Sequence, residues 1–320
     1  MTLFLYMQTR NFVLVTLFVS SVAGCSSPSK NAQSAVDESP IVNSQNTINK
    51  NPGINHGDFM SSVGMVSYTY RNSFSRNFEA TLDTIKSLGI TNIEFSNLFG
   101  KTATEIRTLL DQRGMRCTSF GVGYNDALNK TDEVAANATT MGASYVRVAW
   151  IPFEGKFTLA TADKAIKDFN EIGKKLKEKE LTFCYHNHGY EFQPYEGGTY
   201  FDYMMKNTDP QYVSYELDVL WAVHPGADPV ELLNKYGSRF KLMHVKDLKK
   251  GVQGNFSGST PVENDVALGT GQLKWDGLFD AAFRAGIQYF YIEDESPLYH
   301  QQVPVSIQFL KAQKTGGKVI

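Results

Sequence analysis

A closed (β/α)8 barrel is the fold the sequence predicts, and three observations predict it. From Val63 onward, short β-branched or aromatic runs alternate with amphipathic helical stretches. The alternation repeats eight times in one continuous register, which fits a closed parallel barrel better than an open doubly wound sheet. Carboxylates and imidazoles gather at the C-terminal ends of the later runs, where the βα loops of a barrel form its open face.

The first strand reads as 63–68, followed by a helix over 78–88 that stops at Gly89. The second pair is 92–95 and 104–112, closed by Gly114, and the third is 116–120 and 130–141. Strand four, 145–150, leads into a long helix over 162–179. Strand five at 181–186 precedes a helix near 201–206, and strand six at 213–219 precedes one at 229–236. Strand seven, 240–245, is followed by a long loop and a helix over 275–285; strand eight, 288–293, is followed by a closing helix near 305–313. No glycine-rich GxGxxG or Walker loop follows any of these strands, so dinucleotide or nucleotide binding is not expected.

At 320 residues, 42% hydrophobic and 20% charged, the chain has the apolar material for one large core. A formal net charge of -2 offers no basic footprint, so nucleic acid is not an expected partner. Cys117 and Cys184 fall inside strand-like runs and read as small buried hydrophobes. Cys25 is different. Arg10 precedes an apolar run over 12–19 and the small residues of 20–24, which is the layout of a secretory signal; the run is too short for a permanent membrane span.

Val22-Ala23-Gly24-Cys25 resembles the lipobox of bacterial lipoproteins. That resemblance implies a signal peptide over 1–24, a lipidated Cys25 opening a Ser-, Asn- and Pro-rich tether over 25–61, and a barrel over 62–320. Met7 would serve equally as a start. With Ser26 after the cysteine, the expected location is the outer membrane, lipid-anchored, with the barrel facing the periplasm or the outside.

The chemistry lies in four strand ends: Tyr185-His186-Asn187-His188-Gly189-Tyr190-Glu191-Phe192, Glu216-Leu217-Asp218, His244-Val245-Lys246-Asp247 and Ile292-Glu293-Asp294-Glu295. Carboxylates and imidazoles converging from neighbouring strands are costly to bury unpaired, and a divalent cation resolves that cost. These runs resemble the xylose-isomerase-like sugar isomerase/epimerase barrels, a superfamily that includes inosose dehydratases and endonuclease IV. The resemblance implies one divalent metal ion (Mn, Mg, Zn or Co) held by a residue of strand five together with Asp218, His244 and Glu293. For strand five, His186 stands where the superfamily has a glutamate, and Glu191 lies further along the loop; Glu191 is the expected ligand, with His186 or His188 as the competing imidazole.

By the same resemblance, Glu293 with Glu191 or His186 forms the acid/base pair, with His188 facing the same site. Lys246 reads either as a catalytic cation facing a substrate oxyanion or as a partner of Asp247. Glu94, Trp221 and His224 are candidate substrate contacts, Trp150 shares with Trp221 the choice between sugar stacking and core packing, and Asp228 reads as a helix cap. The function implied is a metal-dependent sugar isomerase or epimerase working through an enediolate on a small carbohydrate. The alternative is a lyase or dehydratase of a keto-sugar, 3-keto-glycoside or inosose, and a non-catalytic carbohydrate-binding lipoprotein is the third reading. Contact with the membrane is expected through the lipid alone, and a homodimer stays open.

Overall fold

The computed structural model describes residues 59–313; the expected signal segment, Cys25 and nearly all of the expected tether lie outside the described residues. Eight strands form a closed, all-parallel barrel: β1 Val63–Val66, β2 Asn92–Phe95, β3 Arg116–Val122, β4 Tyr145–Val148, β5 Thr182–His186, β6 Val213–Asp218, β7 Phe240–Val245 and β8 Tyr289–Ile292. Each strand pairs with its neighbours in sequence, and β1 closes on β8 through Val63↔Phe290 and Met65↔Ile292.

The outer helices are α1 Phe78–Ser87, α2 Ala103–Arg113, α3 Thr131–Met141, α4 Leu159–Lys177, α5 Tyr200–Asn207, α6 Pro229–Tyr236, α7 Leu278–Ala285 and α8 Tyr299–Lys311. Their starts follow local chemistry. Thr102 with Glu105, and Thr199 with Asp202, build capping boxes on α2 and α5, while the Asp228 carboxylate accepts from the Val230 and Glu231 amides, as expected of a cap. The closing helix begins six residues earlier than the sequence suggested. Short helices at Arg71–Arg76, Tyr124–Asn129 and Val219–Val223 were not foreseen; each sits in a βα loop.

Strand alternation divides the core. On β5, Phe183 and Tyr185 point outward to the helices, where Tyr185 packs on Phe169 of α4. Cys184 points inward, sharing the barrel's lower interior with Val66, Leu242 and Tyr291. Phe59, on the helix Phe59–Ser62 just before β1, packs in the layer between β8 and α7, where its ring meets Phe279, Phe283 and Phe290 at 5.2–5.6 Å. Each such large apolar side chain removed from water contributes roughly 1.5–3 kcal/mol.

Candidate metal centre and substrate cavity

Above the apolar floor, the inward positions turn polar: Glu94 on β2, Arg147 on β4, His186 on β5, Glu216 and Asp218 on β6 and His244 on β7 are all buried. Four of them lie in paired register, His186 beside Glu216 and Asp218 beside His244. The next inward residues, Lys246 and Glu293, follow β7 and β8.

His186 spans two carboxylates. Its Nδ1 lies 2.9 Å from Glu216 Oε2, which leaves Nε2 facing Asp218 Oδ2 at 3.6 Å. Asp218 is oriented by the start of the helix Val219–Val223: its Oδ1 accepts from the Trp221 amide at 2.9 Å, and Asn187 exchanges two hydrogen bonds with its backbone. Oδ2 has no hydrogen-bond partner among the described residues. His244 is held from both sides, Nδ1 at 2.6 Å from Glu293 Oε2 and Nε2 at 2.8 Å from Glu94 Oε1.

His186, Asp218 and His244 each present one ligand atom within 4.8 Å of the others, and Glu293 touches the same Nδ1 of His244. Glu216 and Glu94 stand behind the two imidazoles, an arrangement that fixes ring orientation in metal sites. Orphaned oxygens on Asp218, Glu216 and Glu94 leave the cluster short of positive charge. The donor set therefore fits a divalent cation held by nitrogen and oxygen.

Protons redistribute accordingly. Burial pushes the Asp218 carboxyl up to about 7, and burial together with Glu94 raises Glu216 well above the carboxylate range. For Glu94, burial is outweighed by Arg147 and His244, which hold it down at about 2. Lys246 and His244 likewise overcome burial to keep Glu293 ionised. Burial opposes the His244 imidazolium, yet Glu216, Glu94 and Glu293 raise it well above its ordinary value. Burial keeps His186 neutral and brings His188 down to about 3.

A cavity of about 380 Å³ opens above the cluster. Its floor is Arg147, His186 and His244; one wall is Trp150, His188 and Trp221; the other is Asp265, Glu293 and Glu295. Gly258, Ser259 and Thr260 of the long loop after β7 cover part of it. His188 stacks on Trp221 at 5.7 Å and meets the edge of Trp150 at 5.4 Å, which makes an aromatic wall.

Several expected site residues lie elsewhere. Glu191 joins neither the His186, Asp218 and His244 cluster nor the group of ligand atoms that Glu94, Glu216 and His244 bring together. After His186 the chain makes a left-handed turn at Gly189 (φ 99°), and a 3-10 turn carries Glu191 behind the strand, where Oε1 accepts from Tyr185 Oη at 2.5 Å and the His188 amide at 3.0 Å. Burial there pushes its carboxyl up to about 7. Glu94 lies beneath the cavity as a partner of Arg147 and His244 and does not line its wall. His224 sits behind Trp221, edge to ring at 5.6 Å, away from the lining.

Lys246 does not pair with Asp247, whose carboxylate accepts from the amides of Gly269, Gly271 and Leu273. Its ammonium, also outside the lining, is enclosed by Glu295 at 2.8 Å, Asp265 at 3.6 Å and Glu293 at 3.7 Å. Arg147 and Glu216 were missed as site residues. The available signal was a charge at an inward position of an otherwise apolar strand.

The xylose isomerase-like TIM barrel family model matches residues 82–313. The chain belongs to that family. Among curated relatives, the inosose dehydratase of Geobacillus kaustophilus is 25% identical over 196 residues, covering 54% of this chain and 63% of that protein. The chain spans less than two thirds of the length of this and several other inosose dehydratases it matches. Among solved structures of the fold, a sugar phosphate isomerase/epimerase from Parabacteroides distasonis superposes with a TM-score of 0.63 at 24% identity, covering 79% of this chain and 94% of that one. The IOLI protein, whose structure has a bound zinc atom, superposes with a TM-score of 0.62 at 16% identity, covering 79% and 96%.

The proton inventory of this xylose isomerase-like barrel has a measurable consequence for the metal-free protein. Asp218, Glu191 and Asp294 have native values of about 7, well above those of an unfolded carboxyl. At pH 6.5 the native state therefore holds protons that the unfolded chain has released, as it also does on His244. Stability should fall as pH rises from 6.5 to 8. Thermal melts in chelator should show a lower Tm at the alkaline end, and a rising Tm across that window would contradict the assignment.

Proposed function

We propose that this barrel is a metal-dependent lyase acting on a keto-sugar, keto-glycoside or inosose. It would remove a carbon-bound proton beside a carbonyl and expel an oxygen substituent from the next carbon. The observation that carries this reading is the asymmetry of the cavity: ionisable carboxyls line one wall, Glu293, Glu295 and Asp265, and aromatic or neutral imidazole rings line the other. A base and an acid on one side of the ring suffice for a syn elimination, whereas epimerisation needs proton transfer on both. The inosose dehydratase relatives support the same choice.

His186, Asp218, His244 and Glu293 would hold the divalent ion, which when bound supplies Lewis-acid polarisation of the carbonyl. Glu293, ionised and open to the cavity, takes the carbon-bound proton. Asp265, raised by burial to about 6, gives a proton to the departing oxygen. Trp150, exposed at the cavity wall, offers an aromatic surface to the sugar ring. Isomerisation or epimerisation, the first expectation from the sequence, is the second reading; His188, facing the cavity opposite the carboxylates, would return the proton to carbon.

Both routes exchange substrate hydrogen with solvent, and they part in product mass. Metal-loaded protein incubated in D₂O with free sugars, inososes and 3-keto-glycosides should give an unsaturated keto-sugar and free water or aglycone. A product of conserved mass apart from deuterium would favour the isomerase reading. Sugar binding without metal, exchange or elimination would replace both readings with a binding protein.

We also propose lipidation of Cys25 and an outer-membrane location, on the strength of the signal-like segment and Ser26. Wild-type protein should fractionate with membranes and Cys25→Ala should not; a membrane-bound Cys25→Ala would remove the anchor from the account.

A further inference from the structure

Arg147 is the one permanent cation on the cavity floor. β4 brings it inward, and its Nε and Nη2 are committed to Glu94 Oε1 at 3.1 and 2.6 Å, with Nε also 3.4 Å from Glu216 Oε2. Nη1 has no hydrogen-bond partner among the described residues, although the side chain is buried and lines the cavity. Room for the group comes from Gly121, its register partner on β3: a Cβ there would stand 2.7 Å from Nη2, 2.8 Å from Cζ and 3.2 Å from Nη1. Two carboxylates on one side and a missing side chain on the other fix a planar donor whose free edge faces the substrate space.

We propose that Arg147 is a catalytic residue whose Nη1 hydrogen-bonds the substrate oxygen that becomes anionic when Glu293 removes the adjacent proton. In that step the C–H bond breaks and its proton goes to the Glu293 carboxylate. The electron pair moves into a new C=C bond, and the former carbonyl π pair becomes the oxyanion; nothing is oxidised or reduced. A donor held in place before the reaction stabilises the developing charge without reorganising. The inference rests on the proton-abstraction reading above and adds a specificity: planar ligands bearing an oxyanion should be preferred over neutral polyols of similar length.

The test is calorimetric, with metal-loaded protein and two probes, L-threonohydroxamate as an enediolate mimic and threitol as a neutral polyol. Wild type should bind the hydroxamate more tightly. Arg147→Met should retain its metal by elemental analysis and threitol affinity within a few-fold, yet lose roughly ten- to hundredfold in hydroxamate affinity, the worth of a charge-assisted hydrogen bond. Because Arg147→Met also strips Glu94 of its partner, Gly121→Ala serves as the second variant: it keeps the arginine, displaces the guanidinium, and should show the same selective loss. Added guanidinium ion should restore hydroxamate binding to Arg147→Met and not to wild type. Equal loss for both probes, or undiminished hydroxamate affinity in a folded variant, overturns the assignment. Wild type that binds neither probe and exchanges no sugar proton would instead overturn the lyase reading itself, and this proposal with it.

Discussion

Asp218→Ala protein should emerge from purification without its divalent cation and without activity, while keeping its fold. Asp218 is the carboxylate on which the cluster turns: Oδ2 faces His186 Nε2 at 3.6 Å and His244 Nδ1 at 4.0 Å, and no hydrogen bond from the described residues occupies it. Losing a carboxylate that only orients a ligand typically weakens metal binding by roughly 10–100-fold, so loss of a direct ligand should exceed that. The structural cost is small by comparison. Loss of the cap on Val219–Val223 costs about 1 kcal/mol, offset in part because a buried carboxyl is also removed. Asp218→Asn separates the two roles, since asparagine caps equally well but brings no charge. Both variants should fail to gain Tm on addition of Zn²⁺ or Mn²⁺, where wild type gains in proportion to its affinity. Full metal content in either variant would show that the ion is held elsewhere.

The second large effect is on stability. Lys246→Met should destabilise the barrel by about 3–5 kcal/mol, the usual cost of stripping one partner from a buried ionic group. Lys246 is 1% exposed and is the cation that Glu295, Asp265 and Glu293 share, and its Nζ lies 5.5 Å from the centre of the Trp221 ring. Without it, three carboxylates from the loops after β7 and β8 repel one another across the cavity wall. A shift of that size lowers Tm by roughly 10 °C for a domain of this size. Protonation relieves the repulsion, and Asp265 already sits at about 6, so the gap between wild type and variant should narrow from pH 8 to pH 5. A Tm difference that stays constant with pH would mean that Lys246 contributes by packing alone.

Sequence periodicity alone determined the barrel. Alternating runs of period two and period 3.6 must bury both faces of a parallel sheet under helices, so strand order and the face bearing the loops follow from backbone geometry that is the same in every such protein. The same period placed His186, Asp218 and His244 inward, because each lies in a strand or at its very end, where side-chain direction is fixed by counting. Counting stops where the strand stops. Glu191 stands five residues past His186, and only the turn at Gly189 decides that its carboxyl meets Tyr185 on the helix side and not the cavity. Lys246 was legible as an inward cation, yet which anion it meets depended on Asp265, which arrives from the far end of a long loop. Arg147 was visible as a charge within an apolar strand, but its role required three strands at once: Glu94 and Glu216 to neutralise it, and Gly121 to leave room. Charge pairing acts over a few ångströms between residues distant in the chain, so it is decided only when the barrel closes.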